Sequence, residues 1–163
     1  MKMRIIATLL VLTLFAAANL TAQNPYNQIY ELEEAIKLAS EKDKKVLIDI
    51  YADWCPYCGT MHSDTYTDEK VELAIDEHFL LVTVNIESEN KLKFNGREFT
   101  EREFSGYLSS GSVPSTFFLD SDGEILGMQP GLIPADVFSK LLNFVGSDAF
   151  LTQSFDEYRR ENQ

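Results

Sequence analysis

The sequence is most informative where an apolar run meets two closely spaced cysteines, at Val46-Leu47-Ile48-Asp49-Ile50-Tyr51-Ala52-Asp53-Trp54-Cys55-Pro56-Tyr57-Cys58. The first six residues of this stretch are almost all apolar and rich in β-branched side chains, which predicts a central strand buried on both faces. After Cys55 the pattern becomes helical, and Pro56 suits the first turn of a helix. The two cysteines are therefore expected where a buried strand ends and a helix begins.

This placement predicts redox chemistry at the cysteine pair. Two thiols three positions apart can close a small disulfide ring, and the first lies over the unpaired amides and positive end of the helix dipole. We therefore expect Cys55 to ionise more readily than a free thiol and to attack a partner disulfide. Cys58, one turn further in, would resolve the mixed disulfide, and Pro56 would hold the loop in place. The pattern predicts dithiol-disulfide exchange without a bound cofactor.

Two other interpretations of the cysteine pair stay open at this level. One is a structural disulfide, although so short a loop would constrain the unfolded chain little. The other is a zinc site, but His62 and His78 stand 4 and 20 residues beyond Cys58, away from the usual finger spacing. We predict no metal site and expect both histidines at the surface.

The rest of the chain alternates predicted helices and strands. Helices are expected over residues 26–42, over 55–76 with a break at 67–70, over 100–108 behind a Thr100–Glu103 capping box, from Pro134 to Val145, and over 148–160. Strands are expected over 46–51 and 79–86, and as a hairpin of 115–119 with 124–128 around Asp122-Gly123. This order predicts an α/β fold with a mixed four- to five-stranded sheet and helices on both faces.

The amino terminus has the features of a secretory signal peptide over residues 1–22. Lys2 and Arg4 precede an apolar run, and the segment ends at the small residue Ala22. The run is shorter than the roughly 20 residues that span a bilayer, so membrane contact is expected only if the segment stays uncleaved as an anchor. We predict one domain at residues 23–163, located in the periplasm or secreted.

Charge and composition narrow the range of partners. The chain has 163 residues, 45% hydrophobic and 25% charged, proportions typical of a globular protein. Its formal net charge of −12 would repel phosphate backbones and anionic membranes. We therefore predict no nucleic-acid partner.

The cysteine segment resembles the thioredoxin superfamily, with Asp49 at the place of the family's buried carboxylate and Trp54 at its tryptophan. A second stretch, Val113-Pro114-Ser115-Thr116, resembles the family's loop with a cis proline that faces the dithiol. The resemblance implies a thioredoxin-like fold in which Asp49 assists proton transfer at Cys58. It also implies that an extended substrate segment pairs with the backbone beside Pro114.

Within the superfamily, residues 51–55 and 65–71 are most similar to the exported thioredoxin-like domain of DsbD-type disulfide reductases and their stand-alone relatives. That similarity implies a protein-disulfide reductase whose electrons come from another protein. The chain departs from thioredoxins in two ways. Ser63 replaces a helix-kinking proline, and Thr83 stands where thioredoxins have a lysine, so Asp49 is expected to lack a cationic partner.

These inferences define the expected site and its partners. The expected catalytic residues are Cys55, Cys58 and Asp49, and the expected substrate-binding residues are Trp54, Pro56, Tyr57, Val113 and Pro114. The expected partners are disulfide-bearing or thiol-bearing proteins of the cell envelope, together with a redox protein that supplies electrons. Two alternatives remain: an oxidase or isomerase of the same fold, and a non-catalytic module that binds clients.

Overall fold

The computed structural model describes residues 28–162, so the predicted signal peptide at residues 1–22 lies outside the described residues. The helices in this range are α1 Leu32–Lys42, α2 Pro56–Thr60, α3 Glu69–His78, α4 Glu101–Tyr107, α5 Ala135–Gly146 and α6 Phe155–Glu161. A π-helical segment, Met61–Thr65, continues α2, and a 3-10 turn, Ala149–Leu151, follows α5. The strands are β1 Lys45–Tyr51, β2 Phe79–Asn85, β3 Lys91–Phe94, β4 Arg97–Thr100, β5 Ser115–Leu119 and β6 Ile125–Pro130.

Four strands form the main sheet in the order β2-β1-β5-β6. Strand β1 runs parallel to β2 and antiparallel to β5, and β5 pairs antiparallel with β6. The register places Asp49 of β1 between Thr83 of β2 and Thr116 of β5. The predicted mixed sheet is confirmed, with four strands, and Asp49 lies at its centre.

The sheet separates two apolar cores because successive side chains of a strand point to opposite faces. Val46, Ile48 and Ile50 of β1 pack on one face with residues of α1 and α4. Leu47 packs on the other face with residues of the π segment, α3 and α5. Helices therefore cover both faces, as predicted, and the side chain of Asp49 belongs to the Leu47 face.

Local sequence signals account for most of the remaining elements. The hairpin of β5 and β6 is confirmed, with Gly123 at a φ of 85° in its turn. The capping box is confirmed too: the Thr100 side chain accepts the Glu103 N–H, and the Glu103 carboxylate accepts the Thr100 N–H. Helix α1 begins at Leu32, later than the predicted start at residue 26.

The sequence analysis missed the hairpin of β3 and β4, which forms a second, two-stranded sheet. Its turn is Asn95-Gly96, with φ angles of 50° and 72°, the positive values that a tight two-residue hairpin requires. Leu92, Phe94 and Phe99 of this hairpin are buried in the same core as α1 and α4. Across residues 28–162 no helix combines the length and the apolar character that crossing a membrane requires.

Candidate active site

The two cysteines are joined by a disulfide at the start of α2, with their sulfurs 2.19 Å apart. Cys55 is the N-cap residue of α2, and Pro56 occupies the first helical position. Cys55 is 6% exposed and Cys58 is 1% exposed. The expected order is therefore confirmed: the first sulfur lies nearer the surface and the second lies inside the helix.

Backbone amides of the first helical turn surround the Cys55 residue. The Cys58 N–H donates to Cys55 Sγ at 3.1 Å, and the Cys58 and Gly59 N–H groups both donate to the Cys55 carbonyl. Hydrogen-bond donors and the positive end of a helix stabilise negative charge. This geometry would stabilise a thiolate at Cys55 when the disulfide is opened.

Two aromatic residues adjacent to the cysteines in the sequence are exposed. Trp54 is 63% exposed and Tyr57 is 65% exposed. On the inner side, Ala52 is buried with the cysteines, and Ile86 and Val113 pack against them. Apolar side chains thus pack against the disulfide, and exposed aromatic residues adjoin it in the sequence. This arrangement is typical of a site that contacts another protein.

The Val113–Pro114 peptide bond is cis, as the resemblance implied. The Pro114 carbonyl accepts the Gly131 N–H at 2.8 Å, whereas the Val113 N–H and C=O have no hydrogen-bond partner within residues 28–162. Val113 also borders an open groove of about 490 Å³. The groove is lined by Trp54 and Ile86 and, on α4 and the loop after it, by Arg102, Ser105, Gly106 and residues 109–112.

Asp49 is completely buried, as expected, and the structure gives it a partner that the comparison with thioredoxins did not anticipate. His62 Nε2 lies 2.7 Å from Asp49 Oδ2, within hydrogen-bond distance. The side chain of His62 is 28% exposed, so this predicted surface histidine reaches solvent only in part. His78 is likewise partly buried, and it contacts Asn143 of α5.

Two tyrosines complete the surroundings of this pair. The Tyr66 ring packs 6.1 Å from the His62 ring, and Tyr66 also lies against Asp49 and Thr116. Full burial, followed by the negative charge of Asp49, raises the pKa of Tyr66 well above its ordinary value of 10. Tyr51 packs edge-on to His62 at 5.4 Å, and its pKa is also raised, first by burial and then by Asp53. Both phenols therefore keep their protons at neutral pH.

The position of His62 follows from the shape of the helix. His62 is four residues beyond Cys58, one helical turn further along, and residues at that spacing lie on one helix face. It lies in the π segment, where the Tyr66 N–H donates to the Met61 carbonyl five residues earlier. This wide turn includes Ser63, the position of the proline in thioredoxins. The spacing from Cys58 was the available sequence signal for His62, and it was used above only against a zinc site.

Chemically, the arrangement can exchange its disulfide with a thiol or a disulfide of another molecule. The reactive sulfur is at a helix start, the second sulfur is in bonding distance, and a buried carboxylate lies on the adjoining strand. The protein is a thiol-disulfide oxidoreductase on a mixed four-stranded α/β fold.

The chain belongs to the thioredoxin-like domain family, whose model matches residues 32–146. It is 30% identical over 115 residues to the thiol:disulfide interchange protein DsbD of Actinobacillus pleuropneumoniae. That match covers 69% of this chain and 18% of the DsbD chain. The chain therefore spans less than a fifth of the length of that relative.

Solved structures support the same family. The oxidised C-terminal domain of Neisseria meningitidis DsbD is 25% identical and aligns with a TM-score of 0.53, over 70% of this chain and 95% of that domain. A thioredoxin-fold protein from Helicobacter pylori, 23% identical, aligns with a TM-score of 0.64 over 74% of this chain and 80% of that one. The fold is thus that of the thioredoxin superfamily, and the similarity extends to a DsbD domain.

Proposed function

We propose that the protein is an exported protein-disulfide reductase that acts through Cys55 and Cys58. The observation that carries the proposal is the disulfide itself, bonded at a helix start and bordered by exposed Trp54 and Tyr57. A disulfide with a purely structural role gains nothing from an exposed aromatic border. Export rests on the signal-like sequence of residues 1–22.

The reaction transfers two electrons from the cysteine pair to a substrate disulfide. The Cys55 thiolate attacks one substrate sulfur, which forms a mixed disulfide and releases the other substrate sulfur as a thiolate. Cys58 then loses its proton, with Asp49 assisting, and attacks Cys55 Sγ. The products are the substrate dithiol and the Cys55–Cys58 disulfide. A second protein with a dithiol must reduce this disulfide before the next cycle.

Electrostatics support the reducing direction. A strongly reducing thioredoxin and a strongly oxidising periplasmic oxidase differ by about 150 mV, which equals about 7 kcal/mol for two electrons. A hydrogen bond to a charged group, such as that from the Cys58 N–H, contributes about 1.5–3 kcal/mol. Asp49 and exposed Asp53 oppose a second negative charge nearby, and the chain as a whole is acidic. One such hydrogen bond contributes less than this difference, which favours a reductant over a strong oxidant.

The groove suggests how a substrate is held. An extended segment can pair with the N–H and C=O of Val113 while its side chains contact Trp54 and Tyr57. Pro56 occupies the first position of α2, directly after Cys55, and fixes the backbone there. The expected substrates are disulfide-bearing proteins of the cell envelope presented as extended segments.

Insulin reduction by dithiothreitol tests the activity. The wild-type protein should accelerate the precipitation of the insulin B chain, and Cys55→Ser should not. Equal rates for the two proteins would reject the enzyme in favour of a non-catalytic module. The reduction potential tests the direction: a value near −270 mV supports a reductant, and a value near −120 mV supports an oxidase.

Export has a separate test. The full-length protein, expressed in a Gram-negative host, should be recovered from the periplasm with residue 23 at its amino terminus, as mass spectrometry would show. A protein that keeps residues 1–22 in the membrane fraction would support the anchored alternative.

A further inference from the structure

We propose that His62 connects the buried carboxylate of Asp49 to solvent, and that it conducts the proton which the cysteine pair releases or takes up. The proposal applies to thiol-disulfide exchange in either direction, so it does not depend on the reducing role. His62 acts through Asp49 and is therefore a positioning residue.

The site needs a route by which a proton reaches solvent. When Cys58 attacks Cys55 it must lose its proton, and a carboxylate that accepts the proton must release it before it can act again. Asp49 is 0% exposed. Its neighbours in the register of the sheet, Thr83 and Thr116, are hydroxyl side chains that do not act as bases near neutral pH.

The two tyrosines near Asp49 and His62 are unsuited to carry this proton. Tyr66 lies against Asp49, and Tyr51 packs on His62, but the pKa of each is raised, so each keeps its proton at neutral pH. Tyr66 is also fully buried and offers no route to water.

His62 has the two properties that such a route requires, which are contact with Asp49 and contact with solvent. Its Nε2 is 2.7 Å from Asp49 Oδ2, and its side chain is 28% exposed. Imidazole is the side chain whose charge ordinarily changes between pH 5 and 8. His62 also stands one helical turn beyond Cys58, so it can follow the redox helix as the disulfide opens and closes.

Each group that loses the proton passes it to the next group along the route. The Cys58 thiol passes its proton to the Asp49 carboxylate, and the Cys58 thiolate forms the bond to Cys55 Sγ while the substrate thiolate leaves. The neutral Asp49 passes the proton to His62, and the imidazolium releases it to water. In the opposite direction the same groups supply a proton to Cys58 as it leaves Cys55.

The test is a single-turnover reaction of the purified, reduced protein with an excess of a disulfide-bonded peptide. Trp54 is the only tryptophan of the chain and adjoins Cys55, so its fluorescence can follow closure of the Cys55–Cys58 disulfide. At saturating peptide the observed rate reports the step in which Cys58 attacks. We expect His62→Ala to slow this step by at least about a hundredfold, the low end of an acid-base contribution.

Two further measurements separate proton transfer from a structural effect. Added imidazole should restore most of the rate of His62→Ala, since the position is open to solvent, and it should leave the wild type unchanged. His62→Gln keeps a hydrogen-bond donor for Asp49 but cannot take up a proton, so it should be as slow as His62→Ala. The matched control is His78→Ala. It removes the other histidine of the chain, which lies at the end of α3, and it should keep the wild-type rate.

Three outcomes would overturn the relay. These are a wild-type rate for His62→Gln, a wild-type rate for His62→Ala, and a slow His62→Ala whose rate imidazole does not raise. None of these outcomes bears on the reductase proposal. Insulin turnover and the reduction potential of the wild type decide that proposal separately. If His62→Ala does not fold, the Gln variant decides the question alone.

Discussion

The geometry at the start of α2 predicts a large difference in reactivity between the two sulfurs. The protein should be prepared as two variants, Cys58→Ser, which leaves Cys55 as the only thiol, and Cys55→Ser, which leaves Cys58. Cys55 is the N-cap residue and lies nearer the surface, whereas Cys58 is 1% exposed. We expect the Cys55 thiol to be alkylated much faster than the Cys58 thiol at every pH below 8.

The size of the effect follows from the hydrogen bond to Cys55 Sγ. Its donor is the backbone N–H of residue 58, at 3.1 Å, so the Cys58→Ser variant retains it. A hydrogen bond to a charged group contributes about 1.5–3 kcal/mol, which corresponds to about ten- to a hundredfold more thiolate at a given pH. The thiolate is the species that reacts with iodoacetamide.

Mass spectrometry of iodoacetamide-treated samples between pH 5 and 10 measures this difference. The folded Cys58→Ser protein should react about ten- to a hundredfold faster at pH 6–7 than the same protein in guanidinium chloride, where the helix is lost. The denatured sample is an internal control for the chemistry of the thiol. Identical pH profiles in the folded and denatured states, or faster alkylation of Cys58 than of Cys55, would refute the argument from the helix start.

Three further predictions concern the partner surface and stability. Trp54→Ala should raise KM for insulin severalfold while the rate with a small disulfide stays the same, because a small molecule does not need the aromatic border; equal effects on both would contradict that role. Gly146→Ala should destabilise the protein by about 1–3 kcal/mol, because a Cβ there would come within 2.3 Å of the His78 ring. Gly106 is also helical but has nothing within 4 Å of an added Cβ, so Gly106→Ala should stabilise the protein by about 0.5–1 kcal/mol. Urea denaturation of the two variants measures both changes in the free energy of unfolding. Burial raises the pKa of Tyr66 in the folded state, so its contribution to stability is complete below the unfolded value and is lost as pH rises above about 10; Tyr66→Phe should flatten the alkaline decline by up to about 1.4 kcal/mol per pH unit, and an unchanged slope in urea melts from pH 9 to 11 would contradict this assignment.

The elements that sequence analysis predicted correctly are those with local signals. The apolar run of β1 needs burial on both faces wherever it lies, and the Thr100–Glu103 capping box fixes the start of α4 by contacts only three residues apart. The hairpin of β3 and β4 had a local signal as well, because its strands alternate around Asn95-Gly96. It was missed although Asn-Gly between alternating strands is among the strongest hairpin signals.

The candidate site also has features that short sequence motifs predict and features that they do not. The cysteine pair and the cis Val113–Pro114 bond follow from short motifs, and the structure contains both. The pairing of Asp49 with His62 depends on contacts between a strand and a helix 13 residues apart, and on the wide turn of the π segment. The four-residue spacing from Cys58 indicates the helix face of His62, but no pattern in the sequence indicates the wide turn or the contact with β1. Thioredoxins have the partner of this carboxylate on β2, where this chain has Thr83. Here the partner is His62, on the helical segment that follows the cysteines.

The change of element matters for how the site works. A lysine on β2 would be fixed in the sheet together with Asp49, and its charge would stay in place whatever the cysteines do. His62 instead belongs to the helical segment that begins with the cysteine pair, one turn beyond Cys58. A histidine can also lose its charge near neutral pH, whereas a lysine ordinarily cannot. In the proposed relay the partner of Asp49 therefore lies on the same helical segment as the disulfide and passes a proton to water, and a lysine at position 83 would provide neither property.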